Sequence, residues 1–590
     1  MIEPRVYRAA FVPALLALVL VMFSLESQPA PLPQGLAADV LFDGEAAMDA
    51  AAAIARATPD RRPGTPGDLS VAASVERAFR ARGFVPERQR FSEAGKDMVN
   101  VIGRRAGRSR RQIVLVAARD ASSNPDATGS AADTAALLEF SRVLAGRPSR
   151  KTLVLASVDG STLGQLGAAR LADALGGPDQ VDAVLVVSNL GSRERKGPLI
   201  VPWSNDSGRP GIGLQRTVAD SLRQEVDEPV GGTGALGQLA RLGFPIGVGA
   251  QGVMLERGFD SVRISGSGEL PHGGRSPKDL DEDRLGGLGR AALRSVTALD
   301  GGPPPRHGPG SYVIAGGQVV PEWIPSLLAL AFLLPALVAA VDAFARARRR
   351  RHPVAPWFRW VAASIVPFAA GLALGELLVL AGATPEPPPA PVAPGDYPLD
   401  PAAVAVLAGV AAVTGLLWLG ARFLAVRGDP SLRDRSAPGA ACATALVVAF
   451  TVLALWVVSP YAALLLVPAV HLWMLAALAE PPPTRRTRLL LVAGGLLPPA
   501  AVAVYYMIAL STDPLAGAWY LFLLVTGHTV GLSTAVIGCV LLGTLVSVVG
   551  ITRVRDREAP RPVEDAPRVY GPGAYAGPGS LGGTESALRR

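Results

Sequence analysis

Acidic side chains that could take part in chemistry follow directly after apolar runs in the first half of the chain. Asp120 stands at the end of one such run, and Asp159 stands at the end of the next. Asp126 and His272 are the residues of the same segment that could join them. Carboxylate and imidazole groups suit zinc, and a catalytic zinc usually needs three convergent ligands. An active hydrolase with a zinc site built from these four residues is therefore one hypothesis.

The other catalytic motifs that could support a hydrolase are absent from the sequence. The five histidines stand outside His-x-Asp and His-Glu-x-x-His patterns; they are His272, His307, His352, His471 and His528. No Gly-x-Ser-x-Gly motif occurs, and Ser161 or Ser267 has no evident histidine partner except His272. Both cysteines, Cys442 and Cys539, lie in apolar runs, which excludes a disulfide framework and a cysteine zinc site.

A glycine-rich stretch at residues 247–252 has the spacing of a dinucleotide-binding loop. The long helix that should follow such a loop has no room, because residues 261–264 already form the next β-branched run. We interpret the stretch as an ordinary loop and expect no nucleotide cofactor.

Strand-like and helix-like patterns alternate between residues 38 and 302. Short β-branched runs occur at 98–102, 112–117, 152–158, 183–187 and 261–264, and helical periodicity occurs at 133–144, 163–175 and 280–299. Such alternation predicts an α/β domain with a mostly parallel sheet covered by helices. The proline-rich stretch that follows predicts a linker over residues 303–322.

The remaining chain predicts a polytopic membrane bundle. Residues 1–30 have a basic flank and an apolar run, which predicts a signal-anchor helix. Seven further spans are expected within residues 323–550, the last of them broken near residues 527–531 because its run is too long. Residues 551–590 predict a disordered cytoplasmic tail. Arginines cluster in every second connection, so the positive-inside rule places both termini in the cytoplasm and the α/β domain outside the cytoplasmic membrane.

Three ionisable residues stand within the apolar runs of the bundle: Glu376, His471 and His528. A charge in lipid is costly, so such residues are candidates for function. They leave open a second alternative, in which the bundle is a transporter or lipid-handling module and the α/β domain is an accessory. Arg346–Arg351 could also bind lipid headgroups.

Composition agrees with a membrane protein. The 590 residues include 49% hydrophobic residues, and 57 basic residues against 49 acidic ones give a net charge of +8. Single hydrophobic cores stop growing at about 250–300 residues, so one soluble domain of this length is excluded. The basic residues are almost all arginine, a bias that we attribute to a GC-rich bacterial genome, and no nucleic-acid partner is expected.

The α/β segment resembles the zinc exopeptidases of metallopeptidase family 28, the aminopeptidase Y type. The stretches that carry the resemblance are Arg61–Gly67, Asn100–Gly103, Ile113–Asp120, Thr134–Glu139 and Thr152–Gly167. Over the whole chain, the order of anchor, domain and bundle is similar to the attachment subunit of the GPI transamidase. The first resemblance implies an exopeptidase-like fold over about 260 residues.

The same resemblance implies that the metal site has been lost. The family holds two zinc ions with two His and three carboxylates, and a Glu acts as general base. The ligand positions fall here on Ala118, Gly129, Thr162, Ser188 and Gly252, and the base falls on Ser161. Asp120 keeps a position whose role in the family is to orient a His ligand.

The resulting hypothesis is a pseudoenzyme that binds a peptide or another envelope component without cutting it. We expect no catalytic residue, no metal ligand and no cofactor, with zinc retained only in the alternative of a displaced site. The vestigial pocket is expected at the carboxyl ends of the strands, lined by Arg119, Asp120, Asp159, Asn189 and Gln251. Arg119 could bind a ligand's carboxylate there. Membrane lipids and a membrane protein complex are the other expected partners.

Overall fold

The computed structural model describes residues 3–33, 41–122, 125–270, 276–433, 437–479 and 483–554. The chain begins with two helices, α1 (Pro4–Ala9) and α2 (Val12–Met22), and a short strand, β1 (Glu26–Ser27). Pro4–Met22 is long and apolar enough to cross a membrane. Residues 555–590, which include most of the predicted disordered tail, lie outside the described residues.

An α/β domain follows the first helices. Its helices are α3 (Gly44–Ala57), α4 (Pro66–Ala81), α5 (Ala132–Leu144), α6 (Leu166–Ala174), α7 (Ile212–Glu225), α8 (Ala235–Gly243), α9 (Ala250–Glu256) and α10 (Glu282–Gly301). Its strands are β2 (Val85–Glu93), β3 (Lys96–Arg105), β4 (Ser109–Ala118), β5 (Lys151–Val158), β6 (Val181–Ser188), β7 (Ile200–Val201) and β8 (Ser261–Ser265).

The seven strands form one sheet in the order β2-β3-β5-β4-β6-β8-β7. The central strands β5, β4, β6 and β8 are parallel, whereas β2, β3 and β7 pair antiparallel at the two edges. The predicted α/β class is confirmed, and the sheet is mixed because a hairpin (β2 and β3) completes one edge.

Helices cover both faces of the sheet, so its central strands are apolar on both sides. Along β4, Ile113 and Leu115 pack on the face covered by α3, α5, α7 and α10, while Val114 and Val116 pack on the face covered by α6 and α9. This double burial explains why the strands read as nearly continuous apolar runs in the sequence.

A hairpin and a helical bundle complete the chain. The segment predicted as a linker contains β9 (Tyr312–Ala315) and β10 (Gln318–Pro321), and β1 pairs with β10 to give a three-stranded sheet. The bundle helices are α11 (Trp323–Arg349), α12 (Ala355–Leu380), α13 (Pro401–Gly428), α14 (Pro438–Val458), α15 (Pro460–Leu478), α16 (Arg485–Ala509), α17 (Pro514–Thr526) and α18 (Leu532–Val554).

Within the described residues, eight helices are long and apolar enough to cross a membrane: the N-terminal pair counted as one, then α11–α16 and α18. The last apolar run is divided between α17 and α18, and the division falls at residues 527–531, where its length predicted a break. These helices are consistent with a multi-pass membrane protein.

Small residues line the centre of the bundle. Alanines of α11, α14 and α15 are almost completely buried, and they include Ala340, Ala443 and Ala463. Small side chains let helix backbones approach closely, which is the usual means of packing helices in lipid. Residues Ala14 and Ala17 of α2 pack on Ala331 of α11 in the same manner.

Candidate functional site

The predicted pocket residues lie at the carboxyl ends of the central strands. Arg119 and Asp120 follow β4, Asp159 follows β5, and Asn189 follows β6. Parallel strands bring these loops to one edge of the sheet, where α/β domains commonly bind ligands. The fifth predicted residue, Gln251, stands in α9.

Arg119 lies fully buried in an ion cluster with Asp68 and Asp159. Its Nε and Nη2 donate to the two oxygens of Asp68 at 2.8 and 2.7 Å, and Nη2 lies 3.3 Å from Asp159 Oδ2. Nη2 also donates to the carbonyl of Val99 at 2.7 Å. Asp68 already occupies the planar fork of Arg119, so ligand binding by Arg119 stays a prediction that requires this pair to separate.

Two carboxylates share the single positive charge of Arg119 in this cluster. Burial, followed by repulsion from Asp68, raises the pKa of Asp159 to about 8. The backbone N–H of Gly160 donates to Asp159 at 2.7 Å, and that of Val99 donates at 3.3 Å. Asp159 therefore has its hydrogen-bonding oxygens engaged inside the domain.

Asp120 organises the loop after β5. Its oxygens accept from the backbone N–H groups of Ser161 and Thr162 at 2.9 and 3.0 Å, and from the Thr162 hydroxyl at 3.0 Å. Burial raises the pKa of Asp120. The carboxylate holds the loop through three hydrogen bonds.

Asn189 is held in a left-handed conformation by Asp133, a residue that sequence reasoning missed. The backbone N–H groups of Asn189 and Leu190 donate to the Asp133 carboxylate at 2.9 and 3.0 Å, and Asn189 Nδ2 donates to Ser267 Oγ at 2.6 Å. Asn189 has φ of 54°, which asparagine tolerates better than most residues. Burial raises the pKa of Asp133 to about 8.

Gly129 shows how little room is left between these loops. A Cβ at this position would lie 2.4 Å from Asp126 Oδ1 and 2.8 Å from Asn189 Oδ1. Asp126 Oδ1 is itself buried without a hydrogen-bond partner, and burial raises the pKa of the Asp126 carboxyl. A side chain that could ligate a metal would not fit at residue 129 without displacing Asp126 or Asn189.

Gln251 lies apart from the other predicted pocket residues. Its Nε2 donates to the carbonyl of Val248 at 3.0 Å and, more weakly, to that of Trp203 at 3.4 Å. The side chain is fully buried. The structure thus joins Arg119 and Asp159 in one ion cluster, and Asp120 is close enough to act on both electrostatically. Asn189 belongs to the network of Asp133, and Gln251 holds the segment before its own helix.

A proline-rich loop of the bundle covers this edge of the domain. The loop, residues 383–400 between α12 and α13, contacts Gly164 through Pro389: a Cβ on Gly164 would lie 2.4 Å from Pro389 Cδ. Tyr520 of α17 donates to the carbonyl of Val392 at 2.8 Å and fixes the loop from the other side. The 383–400 loop is thus held between the bundle and the candidate site.

Asp396 is the residue of this loop that sequence reasoning missed. Burial raises its pKa to about 6, opposed by a hydrogen bond from Ser122 and reinforced by the nearby carboxylates of Asp120 and Asp126. No spacing signal in the sequence relates residue 396 to residues 120 and 126. The tertiary fold brings the Asp396 carboxyl close to Asp120 and Asp126 from a distant part of the chain.

The domain and the bundle also meet around Arg241. This buried arginine pairs with Glu269, lies 4.8 Å above the ring of Tyr506 and donates to the Tyr505 hydroxyl at 3.2 Å. An apolar cluster beside it joins Val248 and Leu270 of the domain to α16 and α17. The candidate edge of the sheet is therefore packed against the bundle.

The three predicted intramembrane residues fall into two places. His528 Nε2 lies 3.9 Å from Glu376 Oε2. Glu376 is near the end of α12, and His528 is in the break between α17 and α18, so both stand near helix ends. His471 lies within α15, where Nδ1 is 2.6 Å from the Tyr7 hydroxyl and Nε2 is 2.8 Å from the Phe332 carbonyl. His471 thereby links the N-terminal helix to the bundle.

The candidate zinc ligands that the structure describes are not arranged as a zinc site. In the described part of the chain, no group of three or more His, Cys, Asp or Glu side chains is arranged to hold a metal ion. Asp120 and Asp159 are engaged as described above, and His272 lies outside the described residues. His307 Nδ1 instead pairs with Asp260 at 3.1 Å.

Comparison with known proteins finds partial structural likeness. No family model matches the chain, and no curated protein matches it. Among solved structures, a glutaminyl cyclase from an Acidobacteriales bacterium is 18% identical, with a TM-score of 0.35, over 47% of this chain and 99% of that one. The zinc aminopeptidase BSAP from Bacillus subtilis is 14% identical, with a TM-score of 0.35, over 43% and 94%. LapB from Legionella pneumophila is 17% identical, with a TM-score of 0.39, over 48% and 80%.

Proposed function

We propose that the protein is a multi-pass membrane protein whose α/β domain lies outside the cytoplasmic membrane and acts as a binding module without hydrolytic activity. Its proposed partner is a peptide or another component of the envelope. The observation that carries the proposal is the state of the candidate site: the carboxylates of Asp120 and Asp159 serve internal contacts, and the 383–400 loop covers this edge of the domain.

The internal contacts support a structural role for the acidic residues. Asp120 accepts three hydrogen bonds from the loop after β5, and Asp159 neighbours the guanidinium of Arg119. A general base or a metal ligand needs a lone pair directed at the reacting group. Freeing these oxygens would break the contacts that hold the loops of the site.

The position of the 383–400 loop supports binding that is coupled to the bundle. The loop follows α12 directly and contacts the domain at Gly164. A partner that reaches the covered edge must therefore contact or displace the 383–400 loop, whose two ends connect to α12 and α13. We propose that the loop transmits occupancy of the site to α12 and α13.

The distribution of arginines supports the proposed orientation. Arg346–Arg351 lie where α11 joins α12, at the end of α12 opposite the 383–400 loop. The positive-inside rule assigns the arginine-rich end to the cytoplasm. The loop and the domain that it contacts then lie on the extracytoplasmic side.

The transporter alternative gains little from the bundle. Glu376 and His528 lie near helix ends rather than at mid-span, and His528 is 69% exposed. A charge near a helix end can reach the interface, so its cost in lipid is much lower than at the bilayer centre. The pair therefore does not require a transport function to explain it.

Photocrosslinking in living cells tests the proposed binding. A photoreactive amino acid replaces Ser161, which lies partly exposed in the loop after β5, and, as a control, replaces Arg56, an exposed residue of α3. The proposal predicts crosslinks to a peptide or envelope component from residue 161 and none from residue 56. Equal crosslinking from both positions, or release of amino acids from peptides by the purified protein, would contradict it.

A further inference from the structure

A cavity lined by arginines opens at the end of the α/β domain opposite the candidate site. Its volume is about 530 Å³, and its wall includes Arg82, Arg105, Arg108, Arg147 and Ser149. A second, smaller lobe of about 280 Å³ has Arg105, Arg147 and Ser149 in its wall as well. The larger volume alone falls in the range at which small-molecule sites are found, about 300–1,000 Å³.

The location of the cavity separates it from the covered site. Arg108 stands directly before β4 and Ser149 shortly before β5, whereas the candidate site follows the last residues of these strands. Ten residues of β4 at about 3.3 Å each span about 30 Å. A ligand in the cavity would therefore reach neither the 383–400 loop nor the bundle.

Buried donors in the wall lack acceptors. Nη1 and Nη2 of Arg105 and Oγ of Ser149 are shielded from solvent and have no hydrogen-bond partner among the residues that the structure describes, and Ser149 is only 9% exposed. The ring of Phe84 lies 5.3 Å from the Arg105 guanidinium and limits its movement. A buried donor without a partner is unfavourable, so an acceptor that enters the cavity and displaces the groups shielding these donors would be favourable.

The charge of the cavity is strongly positive. Its four arginines come from the α4–β2 connection, the end of β3 with the loop after it, and the α5–β5 connection. Arg82 Nη1 already donates to the Leu138 carbonyl and the Ser141 hydroxyl, whereas Arg108 and Arg147 are exposed. Asp300 is the acidic residue that lines the smaller lobe, and its carboxylate already accepts from the backbone N–H groups of Arg150 and Lys151 at 3.1 and 2.7 Å. Burial lowers the pKa of Arg105, an effect that a bound anion would oppose.

We propose that this cavity is a binding site for a phosphoryl group, either free phosphate or a phosphate ester of an envelope component. A tetrahedral oxyanion offers acceptors in several directions at once, which suits guanidinium groups that approach from three sides. The planar fork of Arg105 and the hydroxyl of Ser149 supply the fixed donors, and the exposed arginines supply charge at the entrance.

Calorimetric titration of the full chain in detergent tests the site, with inorganic phosphate and glycerol 3-phosphate as separate probes. Saturable binding of either probe is expected, and the tighter one identifies the free or the esterified form as the better ligand. Arg147→Gln is expected to weaken binding about tenfold, since an ionic hydrogen bond is worth about 1.5 kcal/mol or more. Arg105→Gln should weaken it at least as much.

Arg56→Gln removes the same charge from a distant exposed position and is the matched control. Its affinity for the probes should equal that of the unmodified chain. Because Arg147 is exposed, its variant should keep the melting temperature of the parent, so lost binding cannot come from unfolding. Absence of saturable binding by both probes, or an equal loss in Arg56→Gln and Arg147→Gln, would overturn the proposal.

Discussion

Replacing Gly164 by alanine is expected to release the 383–400 loop from the candidate site. Gly164 has φ of 81°, and a Cβ there would lie 2.4 Å from Cδ and 2.9 Å from N of Pro389. Neither contact can relax by rotating a flexible side chain, because both atoms belong to a proline ring. The loop or the segment 160–164 must move.

The expected loss of docking free energy in Gly164→Ala has two parts. A left-handed conformation costs alanine about 1 kcal/mol relative to glycine. Overpacking adds about 1–3 kcal/mol. Gly95 is a matched control, since it has φ of 67° and no atom within 4 Å of its added Cβ. Gly95→Ala should therefore show the first cost without the second.

Hydrogen exchange of peptides that cover residues 383–400 measures the release. If the loop opens and closes faster than it exchanges, a loss of about 1–3 kcal/mol raises its exchange rate by about 5-fold to about 150-fold. We expect this increase in Gly164→Ala and no change in Gly95→Ala. Equal exchange of the loop in both variants would refute the contact between Pro389 and Gly164.

Three further predictions concern pH, the buried ion cluster and topology. The pKa of Asp396 is raised from 3.8 to about 6 in the docked loop, so docking is most stable below about pH 4 and weakens as the pH rises through 6. Asp396→Asn should remove this pH dependence of loop exchange. An unchanged dependence would contradict the role of Asp396 in docking. Arg119→Met leaves the buried carboxylate of Asp68 without its ion-pair partner and should lower the free energy of unfolding of the domain by about 3–5 kcal/mol. Exchange of β4 amides measures this loss, and a loss under about 1 kcal/mol would show that the cluster is not needed. For topology, single cysteines are introduced as Ser70→Cys and Ser431→Cys in a chain without its native cysteines. An impermeant maleimide applied to intact cells should label the cysteine at residue 70 and not the one at residue 431. Equal labelling of both would contradict the proposed topology.

The sequence predicted the parts of the fold that depend on burial alone. The strands β3, β4, β5, β6 and β8 are apolar over most of their length, and each coincides with a predicted run. Helices α5 and α10 coincide with predicted helical segments, although α5 is buried on nearly all sides, with 11 of its 13 residues buried. Long apolar runs gave the bundle in the same way, since lipid imposes a minimum length on each span.

Elements whose stability comes from their partners could not be predicted. Strand β2 is largely exposed and carries charged residues, so its sequence has no strand signal; pairing with β3 through a tight turn makes it a strand. The hairpin of β9 and β10 stood in a proline-rich stretch and was predicted as linker. Its partner is β1, which is about 290 residues earlier in the chain.

The predicted pocket residues Arg119, Asp120, Asp159 and Asn189 lie directly after β4, β5 and β6, but the contacts among these loops were not foreseen. Asp68 is in the first turn of α4, where an acid residue is ordinarily explained by the helix dipole. Only the tertiary fold brings it to Arg119, 51 residues away. Asp396 escaped notice for the same reason, because a loop between two spans gives no local sign that it will cover a distant pocket.

The metal content of the full-length protein tests the central claim most directly. The chain is purified in detergent in the presence of zinc, excess metal is removed by dialysis, and bound zinc is counted alongside the release of amino acids from peptide substrates. We expect zinc well below one ion per chain and no amino-acid release above that of a control membrane protein. One or more zinc ions per chain, with peptide hydrolysis that disappears on chelation and returns with zinc, would contradict it.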